Sequence, residues 1–156
     1  DKSLRWDNVP DPICGDEDCL VKIEAAALNR ADLMQREGDY PPPAGCPEWM
    51  GLEVAGEIVE MGEEARAASS MNLGDKVCAL LGGGGYAQFA NIKYDMLMPI
   101  PKGISMEEAA ALFQHVLHNV AAKVTNVCKV VNSRTAGVHI NLARYYFLKI
   151  FFFAGK

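Results

Sequence analysis

The chain has 156 residues, a net charge of -5 and a hydrophobic fraction of 50%, which is a globular composition. Its mild acidity, without a cluster of Lys or Arg, argues against a surface that binds nucleic acid or an anionic membrane. It has no run of about 18 apolar residues, so no segment is predicted to cross a membrane. At about 100–200 residues per domain, the chain is too short for two complete domains.

The first two thirds of the chain predict short β-strands and one short helix. Residues 20–27 alternate between apolar and polar side chains, which is typical of a half-buried strand. A helix is predicted from Asn29, with Asp32 in its first turn and Gly38 as its end. Further strands are predicted at residues 53–61, 76–81, 86–92 and 95–100. Short strands separated by glycines indicate a small antiparallel barrel or sandwich.

Four consecutive glycines, residues 82–85, separate two of the predicted strands. Because glycine adopts the backbone conformations of tight turns, this run predicts a hairpin or a barrel corner. A phosphate-binding loop is the weaker interpretation. No Gly-Lys-Ser/Thr sequence is present, and a strand rather than a helix follows.

At residue 105 the hydrophobic pattern changes from the strand period to the helix period. Ser105 and Glu108 form a capping-box pattern, and apolar residues at helical spacing follow. A buried strand is predicted at 127–131 and a second helix at 135–149. The chain therefore divides into a β-rich part, residues 1–104, and a βα-like part, residues 105–156.

The odd number of cysteines and their spacing predict reduced thiols in a cytoplasmic protein, since no signal peptide is present. The five are Cys14, Cys19, Cys46, Cys78 and Cys128. Two of them, Cys46 and Cys78, are candidate reactive thiols if they are exposed near positive charge. His115 and His118 share a helix face and could hold a metal with Cys128, but histidines on a polar face are usually solvated.

Five segments together resemble the NADPH:quinone oxidoreductases of the medium-chain dehydrogenase/reductase superfamily. They are LNRADLMQREGDYP at 28–41, GLEVAGEIV at 51–59, GDKV at 74–77, the glycine run with YAQF at 82–89, and PIPKG at 99–103. The resemblance covers residues 4–112. It implies a mainly β fold with flanking helices: a GroES-like, partly open β-barrel as the catalytic domain at 1–104. A remnant of a Rossmann α/β domain follows at 105–156.

The resemblance also bears on zinc. Zinc-dependent members of this superfamily carry a Cys where Asn29 stands and a His where Leu52 stands. Neither an amide nor a Leu side chain is a usable zinc ligand. The Cys-rich lobe that holds structural zinc is also missing between Met61 and Tyr86. We therefore expect no metal. The resemblance implies NADPH as the cofactor and a quinone as the substrate.

The resemblance assigns the candidate site residues. Tyr40 is expected at the pocket for substrate and nicotinamide, where its phenol would donate to a quinone oxygen that gains negative charge. Asn29 and Asp32 are expected to face the nicotinamide and ribose, and Gly137 is the glycine that remains of the phosphate-binding turn. From spacing alone, Asn29 could instead only cap its helix, and Tyr40 could only cover a loop.

The last part of the chain departs from the family pattern. His139 stands where the family has a glycine, and G-x-G-x-x-G is absent. Residues from about 113 onward are therefore predicted to be truncated or aberrant, and the aromatic segment 145–153 is predicted to cause self-association. Two hypotheses remain: an NADPH-dependent quinone reductase, and a non-catalytic isoform or GroES-like binding module.

Overall fold

The computed structural model describes residues 3–113. The strands and helices in chain order are β1 (Asp18–Ala27), α1 (Arg30–Glu37), β2 (Glu53–Met61), α2 (Glu63–Ala68), β3 (Lys76–Leu80), β4 (Phe89–Lys93), β5 (Met98–Pro99) and α3 (Met106–Ala110), with a 3-10 turn at Tyr94–Met96. No helix among these described residues is long and apolar enough to span a membrane.

The five strands form one antiparallel sheet in the order β4-β1-β2-β3-β5. Its centre is the long β1–β2 pair, in which Val21 lies opposite Ile58. Along β1, Val21 is buried whereas Lys22 and Glu24 are exposed, as the alternation in the sequence predicts. The mainly β fold with flanking helices is confirmed for this part of the chain.

The hydrophobic core lies between the sheet and the elements that pack on it. Its members are small or β-branched residues of the strands, joined by a few side chains from α2 and the loops. They are Cys19, Val21, Val54, Ile58, Met61, Ala65, Val77, Ala79, Ala90, Ile92 and Leu97. Burial of these apolar side chains, at about 25 cal/mol per Å², is the main stabilising contribution to the sheet.

The hairpin predicted at the glycine run is wrong. β3 pairs with β2 and β5, whereas β4 pairs with β1, so the strands on either side of the run are not neighbours. Residues 81–88 instead carry the chain from one side of the central β1–β2 pair to the other. Local sequence shows that glycines allow a sharp change of direction, but it does not show which strands pair.

Other elements also differ from the predictions. Helix α2 forms at a place where no helix is predicted, with Gly62 as its N-cap and two glutamates in its first turn. β4 begins at Phe89 rather than at residue 86. The predicted strand at 95–100 is divided between the 3-10 turn and the two-residue β5.

The capping box of α3 is confirmed. Ser105 Oγ accepts from the backbone N–H of Glu108 at 3.2 Å, and the Glu108 carboxylate accepts from the backbone N–H of Ser105 at 2.9 Å. Helix α3 packs against β1 and β2 and falls in the first compact unit of the chain, Asp1–Ala111. The division at 104/105 stays a prediction. The expected Rossmann remnant lies outside the described residues.

Candidate functional site

A buried carboxylate, Asp32, lies in the first turn of α1 and is only 3% exposed. Its Oδ2 accepts hydrogen bonds from the backbone N–H of Asn29 at 2.7 Å and from the Tyr86 hydroxyl at 2.8 Å. Its Oδ1 accepts a longer bond from the backbone N–H of Gly51 at 3.4 Å. These donors supply the hydrogen bonds that a buried carboxylate requires. We call Asn29, Asp32, Gly51 and Tyr86 the Asp32 cluster.

The local sequence around α1 explains the position of Asp32. Asn29 has extended backbone geometry (φ -116°, ψ 155°) and is the N-cap, so its free N–H points at the third helical residue. A carboxylate at that position both accepts this N–H and interacts favourably with the positive end of the helix dipole. The helix ends at Gly38, whose φ of 91° is the left-handed conformation of a helix C-cap.

Backbone contacts between residues 84–86 and residues 49–51 place Tyr86 next to Asp32. The N–H groups of residues 84, 85 and 86 donate to the carbonyls of Trp49, Gly51 and Met50 at 2.8, 2.9 and 2.9 Å. Gly51 has a φ of 109°, and a Cβ there would lie 2.2 Å from the backbone nitrogen of Tyr86. Glycine is required because the two backbones touch. The run therefore supports Tyr86 in the Asp32 cluster.

Tyr86 was not identified by the sequence analysis, where it is assigned to a strand. Burial raises the pKa of its phenol, and the hydrogen bond to Asp32 and the nearby carboxylate of Glu53 raise it further. The phenol therefore stays protonated and acts as a donor. The one signal in the sequence is the position of a tyrosine directly after four glycines.

The side chain of Asn29 is the unsatisfied group of the site. Its Nδ2 is buried and has no hydrogen-bond partner among the described residues. An amide nitrogen of this kind can donate to an oxygen of a bound molecule, and a buried donor without a partner costs about 1–3 kcal/mol. The position thus fits a ligand with a carbonyl or hydroxyl oxygen.

The Asp32 carboxylate also lies between positions 29 and 52, where the zinc-dependent members of the superfamily carry their Cys and His ligands. Its two oxygens bond to the backbone at Asn29 and at Gly51, which precedes Leu52. Leu52 is 8% exposed and offers only carbon atoms. Within residues 3–113, no three His, Cys, Asp or Glu side chains are placed to hold a metal ion. The side chains at these two positions, an amide and an alkyl group, are not among the usual zinc ligands.

Tyr40 lies apart from the Asp32 cluster. It follows the C-cap of α1 and is 39% exposed, whereas Asn29 stands at the other end of the same helix. An eight-residue helix is about 12 Å long, so Asn29 and Tyr40 are attached to the chain at points separated by about that length. The structure brings together Asn29 and Asp32 but not Tyr40. Gly137, His115, His118 and Cys128 lie outside the described residues.

The candidate thiols differ in environment. Cys78 is 1% exposed, and burial together with the carboxylate of Glu53 raises its pKa to about 12. A thiol with such a pKa is almost entirely protonated at neutral pH and is a poor nucleophile. Cys46 is half-buried against the glycine run. Within residues 3–113 all four cysteines are free.

The raised pKa of Cys78 predicts a pH dependence of stability. The folded thiol holds its proton above the ordinary value of 9.0, so its contribution is complete below pH 9.0 and is lost as the pH rises towards about 12. The unfolding free energy of the wild type falls between about pH 8 and about pH 10.5. We expect this fall to be about 2 kcal/mol smaller in Cys78→Ala. Urea denaturation across this range measures it. An identical fall in both proteins would contradict the assignment.

Three comparisons show which known proteins this chain resembles in sequence and fold. Residues 15–102 match the alcohol dehydrogenase GroES-like domain. The chain is 38% identical to the chloroplastic quinone-oxidoreductase homolog of Spinacia oleracea, over 67% of this chain and 32% of that protein. It is 29% identical to the quinone oxidoreductase of Sus scrofa, over 92% of this chain and 46% of that protein.

Among solved structures, the Escherichia coli quinone oxidoreductase in complex with NADPH aligns with a TM-score of 0.62 and 28% identity, covering 75% of this chain and 35% of that chain. This chain thus spans less than half of the length of each of these three proteins. The antiparallel sheet with few helices agrees with the partly open barrel that the resemblance implies. The chain belongs to the alcohol dehydrogenase GroES-like domain family, and the three similar proteins described above are quinone oxidoreductases of the medium-chain dehydrogenase/reductase superfamily.

Proposed function

We propose that the described residues form the part of a zinc-free, NADPH-dependent quinone oxidoreductase that contacts the substrate and the nicotinamide. The observation that carries the proposal is the Asn29 side chain: its buried Nδ2 has no hydrogen-bond partner within residues 3–113, although Asp32 holds the Asn29 backbone N–H. A donor fixed in this way is prepared for an oxygen acceptor. Relatives named as quinone oxidoreductases support this assignment.

The residues of the chain have separate tasks in this proposal. Asn29 donates from Nδ2 to an oxygen of the nicotinamide or ribose, and Asp32 holds the backbone of Asn29 in place. Tyr40 donates from its phenol to the quinone oxygen that gains negative charge during reduction. NADPH, when bound, supplies the hydride. The protein contributes position and hydrogen bonds.

The absence of zinc from the proposed mechanism rests on side-chain chemistry. At positions 29 and 52 the chain offers an amide and an alkyl group, which do not replace thiolate and imidazole as ligands. The negative charge on the reduced oxygen is then stabilised by hydrogen-bond donors instead of a metal. A cytoplasmic location is also part of the proposal, and the four free cysteines within residues 3–113 support it.

Steady-state reduction of a quinone with NADPH tests the proposal on three variants. Asn29→Ser keeps an N-cap residue but removes the amide donor, so we expect kcat/KM to fall about tenfold or more while the unfolding free energy changes by less than about 0.5 kcal/mol. Tyr40→Phe is expected to lower kcat/KM for the quinone about tenfold, because one donor to the developing charge is lost. Tyr94→Phe, at a tyrosine that packs on the core, is the control and should match the wild type.

The alternative is a binding module without catalytic activity. It draws support from the lead-in before β1, where Trp6 is 95% exposed and Ile13 is 89% exposed. Exposed apolar side chains of this size mark an interaction surface where they form one contiguous patch. Wild-type protein that neither reduces quinones nor binds NADPH would favour this alternative. Unchanged kinetics of Asn29→Ser and Tyr40→Phe in an active protein would contradict the roles proposed for these two residues.

A further inference from the structure

The Tyr86 hydroxyl contacts the chain on both sides of Asn29. It lies 2.8 Å from Asp32 Oδ2 and 3.3 Å from the backbone carbonyl oxygen of Ala27, the last residue of β1. Asn29 stands between these two points in the sequence. The side chain that adjoins it, Leu28, is 79% exposed and gives no packing support. Tyr86 therefore bridges the end of β1 and the first turn of α1 across this short connection.

Tyr86 itself is held by backbone contacts. Its N–H donates to the carbonyl of Met50 at 2.9 Å, and Gly85 next to it donates to Gly51 at 2.9 Å. A Cβ on Gly85 would lie 2.7 Å from Val54 and 2.8 Å from the carbonyl oxygen of Gly51, so this crossing has no free space. The backbone of Tyr86 is therefore held in one position. Its hydroxyl can then restrain the groups that it contacts.

Two hydrogen bonds to Asp32 connect the Tyr86 hydroxyl to the backbone of Asn29. The oxygen of Asp32 that accepts from Tyr86 is the same Oδ2 that accepts from the backbone N–H of Asn29. A displacement of this oxygen would move the backbone from which the Asn29 amide projects. Since Asp32 is buried, water cannot replace the tyrosine hydroxyl without a change in packing.

We propose that Tyr86 is a positioning residue: through Asp32, its hydroxyl orients the Asn29 side chain for the ligand oxygen. This inference rests on the proposed function of Asn29. Tyr86 itself does not contact the ligand in this account. It acts on the geometry of the donor and thus connects the glycine run, residues 82–85, to the site at the start of α1.

The test is Tyr86→Phe, which removes only the hydroxyl, compared with Tyr94→Phe in the ¹⁵N-labelled chain. Two NMR signals are followed: the side-chain amide of Asn29, assigned with Asn29→Ser, and the backbone amide of Asn29. We expect Tyr86→Phe to shift the side-chain signal and to speed hydrogen exchange of the Asn29 backbone amide about tenfold. Tyr94→Phe should leave both unchanged.

An Asn29 side-chain signal that is unchanged in Tyr86→Phe would overturn the proposal, as would equal changes in the two tyrosine variants. If Tyr86→Phe does not fold, 3-fluorotyrosine at position 86 provides the second variant, because it keeps the hydroxyl, makes it a stronger donor and leaves the Asp32–Asn29 bond itself unaltered; it should also shift the Asn29 side-chain signal. These signals need no activity and no cofactor. An inactive wild-type chain in which Tyr86→Phe moves the Asn29 signals would therefore contradict the proposed function and leave the positioning role supported.

Discussion

Replacing Gly51 by alanine is expected to destabilise the chain by about 3–5 kcal/mol, which is a large part of the about 5–15 kcal/mol by which a typical domain is stable. Two costs add. The φ of 109° strains any residue with a Cβ by about 1–2 kcal/mol, and the new Cβ would lie 2.2 Å from Tyr86 N and 2.5 Å from the carbonyl carbon of Gly85. Both neighbours are backbone atoms, so neither can rotate away.

Gly38→Ala is the matched control for this variant. Gly38 also has positive φ, 91°, but a Cβ there meets nothing within 4 Å. Gly38→Ala should therefore lower the unfolding free energy only by the cost of backbone strain, about 1–2 kcal/mol. Urea denaturation of the wild type and both variants measures the difference between the two sites. Equal losses would mean that the contact between residues 51 and 86 is not as close as the structure shows.

Replacing Asp32 by alanine is expected to cost about 3–5 kcal/mol. The change leaves the Asn29 N–H, the Tyr86 hydroxyl and the Gly51 N–H without their common acceptor. A buried donor that loses its partner costs about 1–3 kcal/mol, and the three are not additive because they share one carboxylate. The loss of a negative charge at the helix N-terminus adds to the effect.

Asp39→Ala provides the control, since Asp39 is an exposed carboxylate just beyond the end of the same helix. It should change the unfolding free energy by less than about 0.5 kcal/mol. Thermal and urea denaturation of both variants are the measurements. A loss below about 1 kcal/mol in Asp32→Ala would show that the carboxylate does not hold these three groups together.

Local patterns in the sequence predict those elements that depend on residues close to them in the sequence. The alternation in β1, the N-cap at Asn29 and the stop at Gly38 are confirmed because each depends on neighbouring residues. Helix α2 was not predicted, since six residues are too few to show a helical period. The hairpin predicted at residues 82–85 was wrong, and the pairing of β4 with β1 was not predicted, because strand partners distant in sequence leave no local signal.

The candidate site was predicted in part for the same reason. The local sequence predicted Asn29 and Asp32 at the start of one helix, and the resemblance to the family assigned them to the site. Tyr86 joins them from 54 positions away in the sequence, through a contact between glycine backbones that no periodicity reveals. The separation of Tyr40 from this cluster follows from the length of α1.

The central claim is that Asn29 presents its side-chain amide to an oxygen of the nicotinamide or ribose. The most direct measurement is an NMR titration of the ¹⁵N-labelled chain with NADPH, with the side-chain amide of exposed Asn72 as an internal reference. The account predicts a saturable shift of the Asn29 side-chain signal while the Asn72 signal stays fixed. An Asn29 signal that does not move up to millimolar NADPH would contradict it.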